Sequence, residues 1–363
     1  MAPIDANNNC LNRMKKISNH LDGVDINIVQ PSPANLDRHA VIITYHYCHP
    51  RSNADFNNLK GIEPDDLEQQ IEVLHREFQF ASVSDLINPD IDLPQFVVVL
   101  TFDDGLKDFY NYAFPILKSR KVPATVYCST APLKNDSLLN MHRIHLLLGV
   151  LGQKEFSRRF EGILDHYKGS YKLETSSATA FNKLYPRDDE DTRKFKKLLN
   201  FQLPHTVLSP ILKSLFKQTC GSEKEIIKRF YMTLDEIKEI KNEGFDIGIH
   251  THNHHILSYL DYNQQKYELT TAVEYLREQI NLETVHVAYP YGIFGTWNNN
   301  TMKLMKNLGY QAGLTLGRRI VKPNDLYHRW EIPRYDVNDI FDRENNLNAK
   351  VIGFLYEAID GVK

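Results

Sequence analysis

No apolar run in this sequence approaches the roughly 18 residues of a membrane-crossing helix, so no membrane span is expected. An excess of charge of one sign is also missing. The chain sets 43 Lys and Arg against 46 Asp and Glu, a formal net charge of -3. That balance argues against nucleic-acid binding through a basic surface. Cysteine is scarce, with Cys10, Cys48, Cys128 and Cys220 the only four in 363 residues. They lie far apart and form no CxxC pair, which reads as free, mostly buried thiols in a reducing compartment. The opening segment, MAPIDANNNCLNRMKKISNHLDGVD, has no apolar core after its charges. It does not read as a secretory signal, and a cytoplasmic location is the expectation. Internal repeats and long low-complexity tracts are absent too.

What is present is an ordinary globular composition, 42% hydrophobic and 25% charged. The length is enough to bury a core and to form a single α/β barrel. Residues 1–37 are polar and rich in Asn, and read as an N-terminal arm. AVIITYHY (40–47) reads as a buried strand, and FVVVLTF (96–102) as the strongest strand in the chain. Its unbroken apolar character suggests burial on both faces, as in a parallel sheet. Between them, Glu63–Phe78 opens with Pro64, Asp65 and Asp66 and carries Leu67, Ile71 and Leu74 at helical spacing. A helix over 106–118 and a strand at PATVYCST (123–130) complete a βαβ unit. The pattern then changes. MHRIHLLLGVLG, EFSRRFEGILDHY and LSPILKSLFKQ look helical, and 133–228 reads as a helical insertion rather than a separate fold. Alternation resumes with a helix at 233–243, strand FDIGIHT, helix 263–280, strand HVAYPYG, helix 297–308 and strand QAGLTL. The outline is a body over 38–340 interrupted at 133–228, with 341–363 as a C-terminal helix or tail. A parallel α/β sheet or barrel is expected, with its chemistry at the C-terminal ends of the strands.

Three strand ends stand out. FVVVL runs into Thr101-Phe102-Asp103-Asp104-Gly105. Two adjacent carboxylates beside a core are costly unless a cation compensates them, although an Asp-Gly turn is the plain alternative. FDIGI runs into His250-Thr251-His252-Asn253-His254-His255, four histidines in six residues. His250 and His254 stand four apart, so on one helical turn they would face the same way. Joined by a carboxylate from another strand, they would make a two-His, one-Asp metal set with open positions. A solvated polar loop is the alternative. HVAYP runs into Tyr289-Pro290-Tyr291-Gly292, either a Pro/Gly turn with packed aromatics or one wall of a groove that stacks sugar rings.

These residues resemble the polysaccharide deacetylases, the NodB-homology group also called carbohydrate esterase family four. TFDDG (101–105), HTHNHHIL (250–257) and AYPYG (288–292) occur in the family's order, the last in the form of a YPYG branch. The resemblance covers roughly 38–132 and 229–340. It implies an α/β fold, a distorted (β/α) barrel of NodB type, here with a helical insertion. It implies metal-dependent hydrolysis of N-acyl groups on sugars. On the resemblance, Asp104, His250 and His254 bind one divalent ion, zinc by default with other divalent ions in use. Asp103 is the general base, and Thr251 braces the histidine loop by a hydroxyl hydrogen bond. Tyr289, Pro290, Tyr291 and Gly292 contact substrate, with the Tyr291 N–H as an oxyanion donor.

The sequence departs from the family at two points. Ala288 stands where much of the family has an Arg that holds the catalytic Asp, and Arg334, in RWEIPRYDV, is the candidate replacement; a structural salt bridge is the alternative. The late Leu-x-Ile-x-Leu-His motif that supplies the catalytic acid is not evident after residue 337. His46, at the end of the first strand, is a candidate acid or substrate contact, against a hydrogen-bonded strand-end histidine. His252 and His255 stay outside the metal set. The expected function is a metal-dependent hydrolase acting on an N-acylated amino sugar, whether polymeric, lipid-linked, nucleotide-linked or free. A carbohydrate-binding protein without turnover is the competing reading, and a hydrolase of a non-sugar amide the third. The insertion either caps the groove or forms a homo-oligomer surface, and the sequence leaves both open.

Overall fold

The computed structural model describes residues 36–53, 59–174, 188–342 and 344–348. Nearly all of the expected N-terminal arm, most of the C-terminal tail and the polar middle of the insertion lie outside the described residues. The strands are β1 (His39–Tyr45), β2 (Gln79–Ala81), β3 (Phe96–Phe102), β4 (Ala124–Cys128), β5 (Asp246–Ile249), β6 (His286–Ala288), β7 (Ala312–Thr315), β8 (Ile332–Pro333) and β9 (Tyr335–Asp336). They form one sheet in the order β8-β7-β6-β5-β4-β3-β1-β9, with β2 added on β3. Every strand pairing is parallel. The longest runs His39 against Phe96 through Tyr45 against Phe102.

The two end strands are neighbours in sequence. β8 pairs with β7 on one edge and β9 with β1 on the other, and only Arg334 separates them. One short extended segment thus bridges both edges, giving a nearly closed, distorted (β/α) barrel. Antiparallel neighbours could be joined by a tight turn, but parallel ones need crossovers, and helices such as Pro64–His75 and Tyr262–Ile280 supply them. Both helices begin with capping boxes, at Glu63/Asp66 and Asp261/Gln264.

Strand alternation divides the apolar residues between two layers. Val41, Ile43, Val98 and Leu100 pack with the helices, including Leu67, Ile71 and Leu269. Ala40, Ile42, Val97 and Val99 face a second cluster with Tyr127, Ala288, Leu314 and Ile332. That second cluster is the barrel interior. At the N-terminal end of the strands, Asp246 accepts hydrogen bonds from Ser84 Oγ (2.8 Å), Thr125 Oγ1 (2.9 Å) and His286 Nε2 (3.0 Å). Ser84 lies 3.4 Å from the same Nε2, so the three form no proton relay. They tie the barrel bottom together, where polar residues serve stability.

The segment expected as a helix over 106–118 is helical from Lys107 but passes through one π turn, Phe109–Ala113, before the α-helix Phe114–Ser119. Pro115 is the physical reason, since it has no N–H to donate back one turn. Between β4 and β5 lie the helices Ala131–Asn135, Asn140–Leu164, Glu190–Lys197, His205–Cys220 and Glu223–Phe230. They bury their own cluster, with Leu147, Phe156, Phe160, Leu212 and Phe216 at its centre. Leu106, just after β3, joins that cluster. Arg143 is buried and forks onto Glu223 at 2.8 and 2.7 Å, joining the helices Asn140–Leu164 and Glu223–Phe230.

Candidate metal centre

The alternation that puts Val97 and Val99 in the barrel interior carries Thr101 and Asp103 the same way. Arg334 meets both there. Its Nη1 and Nη2 donate to Asp103 Oδ1 and Oδ2 at 2.7 and 2.8 Å, and Nη1 also reaches Thr101 Oγ1 at 3.1 Å. The guanidinium carbon lies 5.4 Å from the centre of the Tyr127 ring. Burial, the largest single influence, raises the Asp103 pKa, but the Arg334 charge and hydrogen bonds together with the nearby His250 and His46 outweigh it and leave the carboxyl below its usual range. Burial likewise disfavours the Arg334 charge, and Asp103 restores it.

The chain turns sharply after Asp103. Asp104 and Gly105 both take left-handed conformations, φ 75° and 68°. A Cβ on Gly105 would lie 3.2 Å from Cys128 Sγ, so glycine suits this position twice over. The turn brings Asp104 to His250 and His254, and ligand atoms of all three lie within 4.8 Å of one another. His250 Nε2 is 3.4 Å and His254 Nε2 3.6 Å from Asp104 Oδ1.

No helical turn aligns the two histidines. That expectation is corrected: residues 250–254 are loop, with Thr251 and His254 at φ 61° and 60°. The Thr251 hydroxyl accepts the His254 backbone N–H at 3.1 Å. Buried Glu268, which the sequence reading did not single out, accepts the backbone N–H groups of His252 and Asn253 at 3.1 and 2.7 Å. The His252 ring is engaged by Thr130 and Asn135, and His255 by Glu268.

This donor set fits a divalent cation. The His250 Nδ1–H donates to the Ala288 carbonyl at 2.7 Å, leaving a lone pair on Nε2. Burial lowers the pKa of both rings, that of His254 to about 3, so they are neutral at ordinary pH. Asp104 Oδ1 is buried and has no hydrogen-bond donor. The His250 lone pair and the Asp104 oxygen therefore converge beside the neutral His254 ring, whose Nδ1 is buried without a hydrogen-bond partner. A cation turns that repulsion into coordination. Zinc suits two imidazoles and one carboxylate with further positions open.

A pocket of about 330 Å³ opens over these groups, and His46, Tyr47, Asp103, His145 and Tyr291 are among its lining residues. Tyr291 packs edge-on against His254, ring centres 5.2 Å apart. Of the other residues of the AYPYG stretch, Tyr289 also lines the pocket, whereas Pro290 and Gly292 do not. The Tyr289 ring is turned into the core: its hydroxyl donates to the Trp330 carbonyl at 2.8 Å, and its face stacks on Trp297 at 5.0 Å. Pro290 is buried. Gly292, at φ 60°, serves a close approach, since a Cβ there would lie 2.8 Å from the Leu316 nitrogen. Successive residues leaving a strand point to alternate sides, so Tyr289 and Tyr291 reach the pocket and Pro290 and Gly292 do not.

Sequence reading missed the insertion's contribution. His142 is fully buried, and its Nε2 lies 3.3 Å from Asp104 Oδ2. His145 Nδ1 is 3.0 Å from the Tyr47 hydroxyl, and burial holds the His145 pKa well below the usual value. The only sequence signal was the pair of histidines in MHRIH, on a helix that otherwise reads as amphipathic core.

The polysaccharide deacetylase family matches residues 90–144 and 216–313, two blocks that carry Asp103, Asp104, His250, His254 and Tyr291. It is to this family that the chain is similar over its barrel strands and site loops. Among curated proteins, YxkH of Bacillus subtilis (strain 168), named for this family, is 29% identical over 92 residues. That match covers 25% of this chain, and the chain spans about a third (32%) of that relative's length. Among solved structures, the Streptococcus pyogenes deacetylase PplD, determined in complex with acetate, is 21% identical with a TM-score of 0.51. The alignment covers 87% of this chain and 97% of that one, and it supports the barrel fold. IcaB from Ammonifex degensii is 18% identical, with a TM-score of 0.48 over 82% of this chain and 91% of its own.

Proposed function

We propose that this chain hydrolyses N-acyl groups, acetyl or formyl, from an amino sugar or glycan with one bound divalent ion, zinc by default. The observation that carries the reading is the convergence of Asp104 Oδ1 with two neutral histidines, beside an Asp103 forked by Arg334. A binding protein needs metal ligands but has no use for a held base.

In this reading Asp104, His250 and His254 hold the ion. Bound there, it polarises the acyl carbonyl and lowers the pKa of water. Asp103 takes the proton of the attacking water, and Arg334 keeps its carboxylate ionised and fixed in orientation. The Tyr291 backbone N–H supports the oxyanion. The proton for the leaving amine comes from the pocket wall, where His46 is the candidate group.

The test pairs metal analysis of wild type, Asp103→Asn and Asp104→Ala with acetate or formate release from a panel of N-acylated sugars. Wild type and Asp103→Asn should carry one ion per chain, and Asp104→Ala should lose it. Asp103→Asn should fall about 10²–10⁴-fold in rate, the usual contribution of a positioned base. Metal loading without acid release from any sugar amide would overturn the hydrolase reading in favour of binding. A wild-type protein that takes up no zinc would overturn the metal centre.

A further inference from the structure

We propose that His142, carried by the insertion helix Asn140–Leu164, is the positioning residue that aims the Asp104 carboxylate at the metal centre, with Tyr231 fixing its tautomer. This rests on the metal reading above and adds a residue from outside the barrel.

The hydrogen-bond pattern is consistent in only one direction. The ionised Asp104 carboxylate can only accept, so a neutral His142 donates from Nε2 and its Nδ1 accepts from the Tyr231 hydroxyl, which itself accepts the Leu139 backbone N–H at 3.3 Å. With Nδ1 accepting, the imidazole proton sits on Nε2. That N–H faces Asp104 Oδ2 at 3.3 Å. One carboxylate oxygen is thereby held, and the other, Oδ1, is left toward His250 and His254. Among the described residues, His142 makes the one side-chain hydrogen bond to Asp104. The usual outer partner of a metal site is a carboxylate behind a histidine; here the order is reversed.

The surroundings keep water from replacing His142. Its ring packs against Phe230 at 4.9 Å and Tyr231 at 5.3 Å, with Tyr47 at 6.1 Å. All the positioning parts except Tyr47 come from the insertion or its exit. The insertion therefore shapes the metal site as well as its rim.

The test is zinc affinity of the full-length protein, measured by chelator competition on wild type, His142→Ala, His142→Gln and Tyr231→Phe. Each variant's metal-free melting temperature establishes folding. His142→Ala should bind zinc about 10–100-fold more weakly, the usual loss when an outer-sphere partner is removed. His142→Gln, whose amide can still donate toward Asp104, should recover part of that loss, and Tyr231→Phe should show a smaller one. In the cobalt-loaded protein, His142→Ala should change the visible ligand-field spectrum, which a purely structural histidine would leave alone. Folded His142→Ala with zinc affinity within twofold of wild type would overturn the proposal. So would Tyr231→Phe and His142→Gln both matching wild type, should His142→Ala not fold. Weakened zinc binding in these variants, with no acid release by wild type, would uphold His142 and overturn the hydrolase reading alone.

Discussion

Arg334 and Asp103 are each tolerable in the barrel interior only because of the other. Both are almost fully buried, and their two hydrogen bonds are short and parallel. Removing one member leaves a buried charge, which costs about 3–5 kcal/mol. Arg334→Met should therefore unfold at markedly lower denaturant. Arg334→Lys is the more informative change, because it keeps the charge and loses the fork. Arg334 holds the Asp103 pKa down, so weakening the pair raises it. On the proposed mechanism Asp103 accepts a proton only when ionised, and the acidic limb of the kcat/KM profile should then move to higher pH. A pH–rate series on wild type and Arg334→Lys measures this; an unmoved acidic limb would mean that Arg334 does not tune the base. The sequence pointed to Arg334 because Ala288 left a place without its guanidinium. It gave no such pointer to His142, which meets Asp104 from 38 residues away through tertiary packing.

Among the elements, the long apolar strands and the amphipathic helices were legible because burial sets their period. β3 has the bounds read from FVVVLTF, and the helix at 262–280 differs by one residue from its expectation. β2, β8 and β9 span two or three residues each, too few for any periodicity, and form because neighbouring strands offer paired edges. The link between the loops after β1 and β3 was equally illegible. It is made by Asp108, whose Oδ2 accepts the Cys48 N–H at 2.8 Å. Asp108 is fully buried, and burial, aided by the Asp104 charge, pushes its pKa up to about 8. A carboxyl raised in the folded state binds a proton that the unfolded chain releases. Its stabilisation is complete below about pH 4, the unfolded value, and is lost as pH rises toward about 8. Melting temperatures of metal-free wild type and Asp108→Asn, followed from pH 4 to 8, test this. The wild type should lose stability relative to the variant, by a few kcal/mol at about 1.4 kcal/mol per pKa unit. Parallel curves would mean that Asp108 is ionised in the fold.

At the scale of the molecule, the insertion and the barrel share one seam. Leu106 bridges Tyr231, the Met232 N–H donates to the Gly105 carbonyl at 3.0 Å, and Asp104 meets His142 across the same line. An insertion with its own apolar cluster could in principle melt alone. These contacts argue against it, because opening the insertion strips Asp104 of its hydrogen bond and uncovers Leu106. The chain carries its own reporters for the question. Both tryptophans, Trp297 and Trp330, are in the barrel, whereas much of the helical signal in far-UV circular dichroism comes from the insertion. Leu212→Ala removes a fully buried side chain from the insertion cluster, at a cost of about 2–5 kcal/mol. If the seam couples the two, tryptophan fluorescence and circular dichroism should give one coincident midpoint in wild type. Both should then fall together, by several degrees, in Leu212→Ala. Saturating zinc should raise both together, since a ligand that binds only the folded state stabilises whatever unfolds with its site. A circular dichroism transition that precedes an unchanged fluorescence transition in Leu212→Ala would show the insertion opening alone. It would also imply that Asp104 loses its partner before the barrel unfolds, and zinc should then delay the first transition.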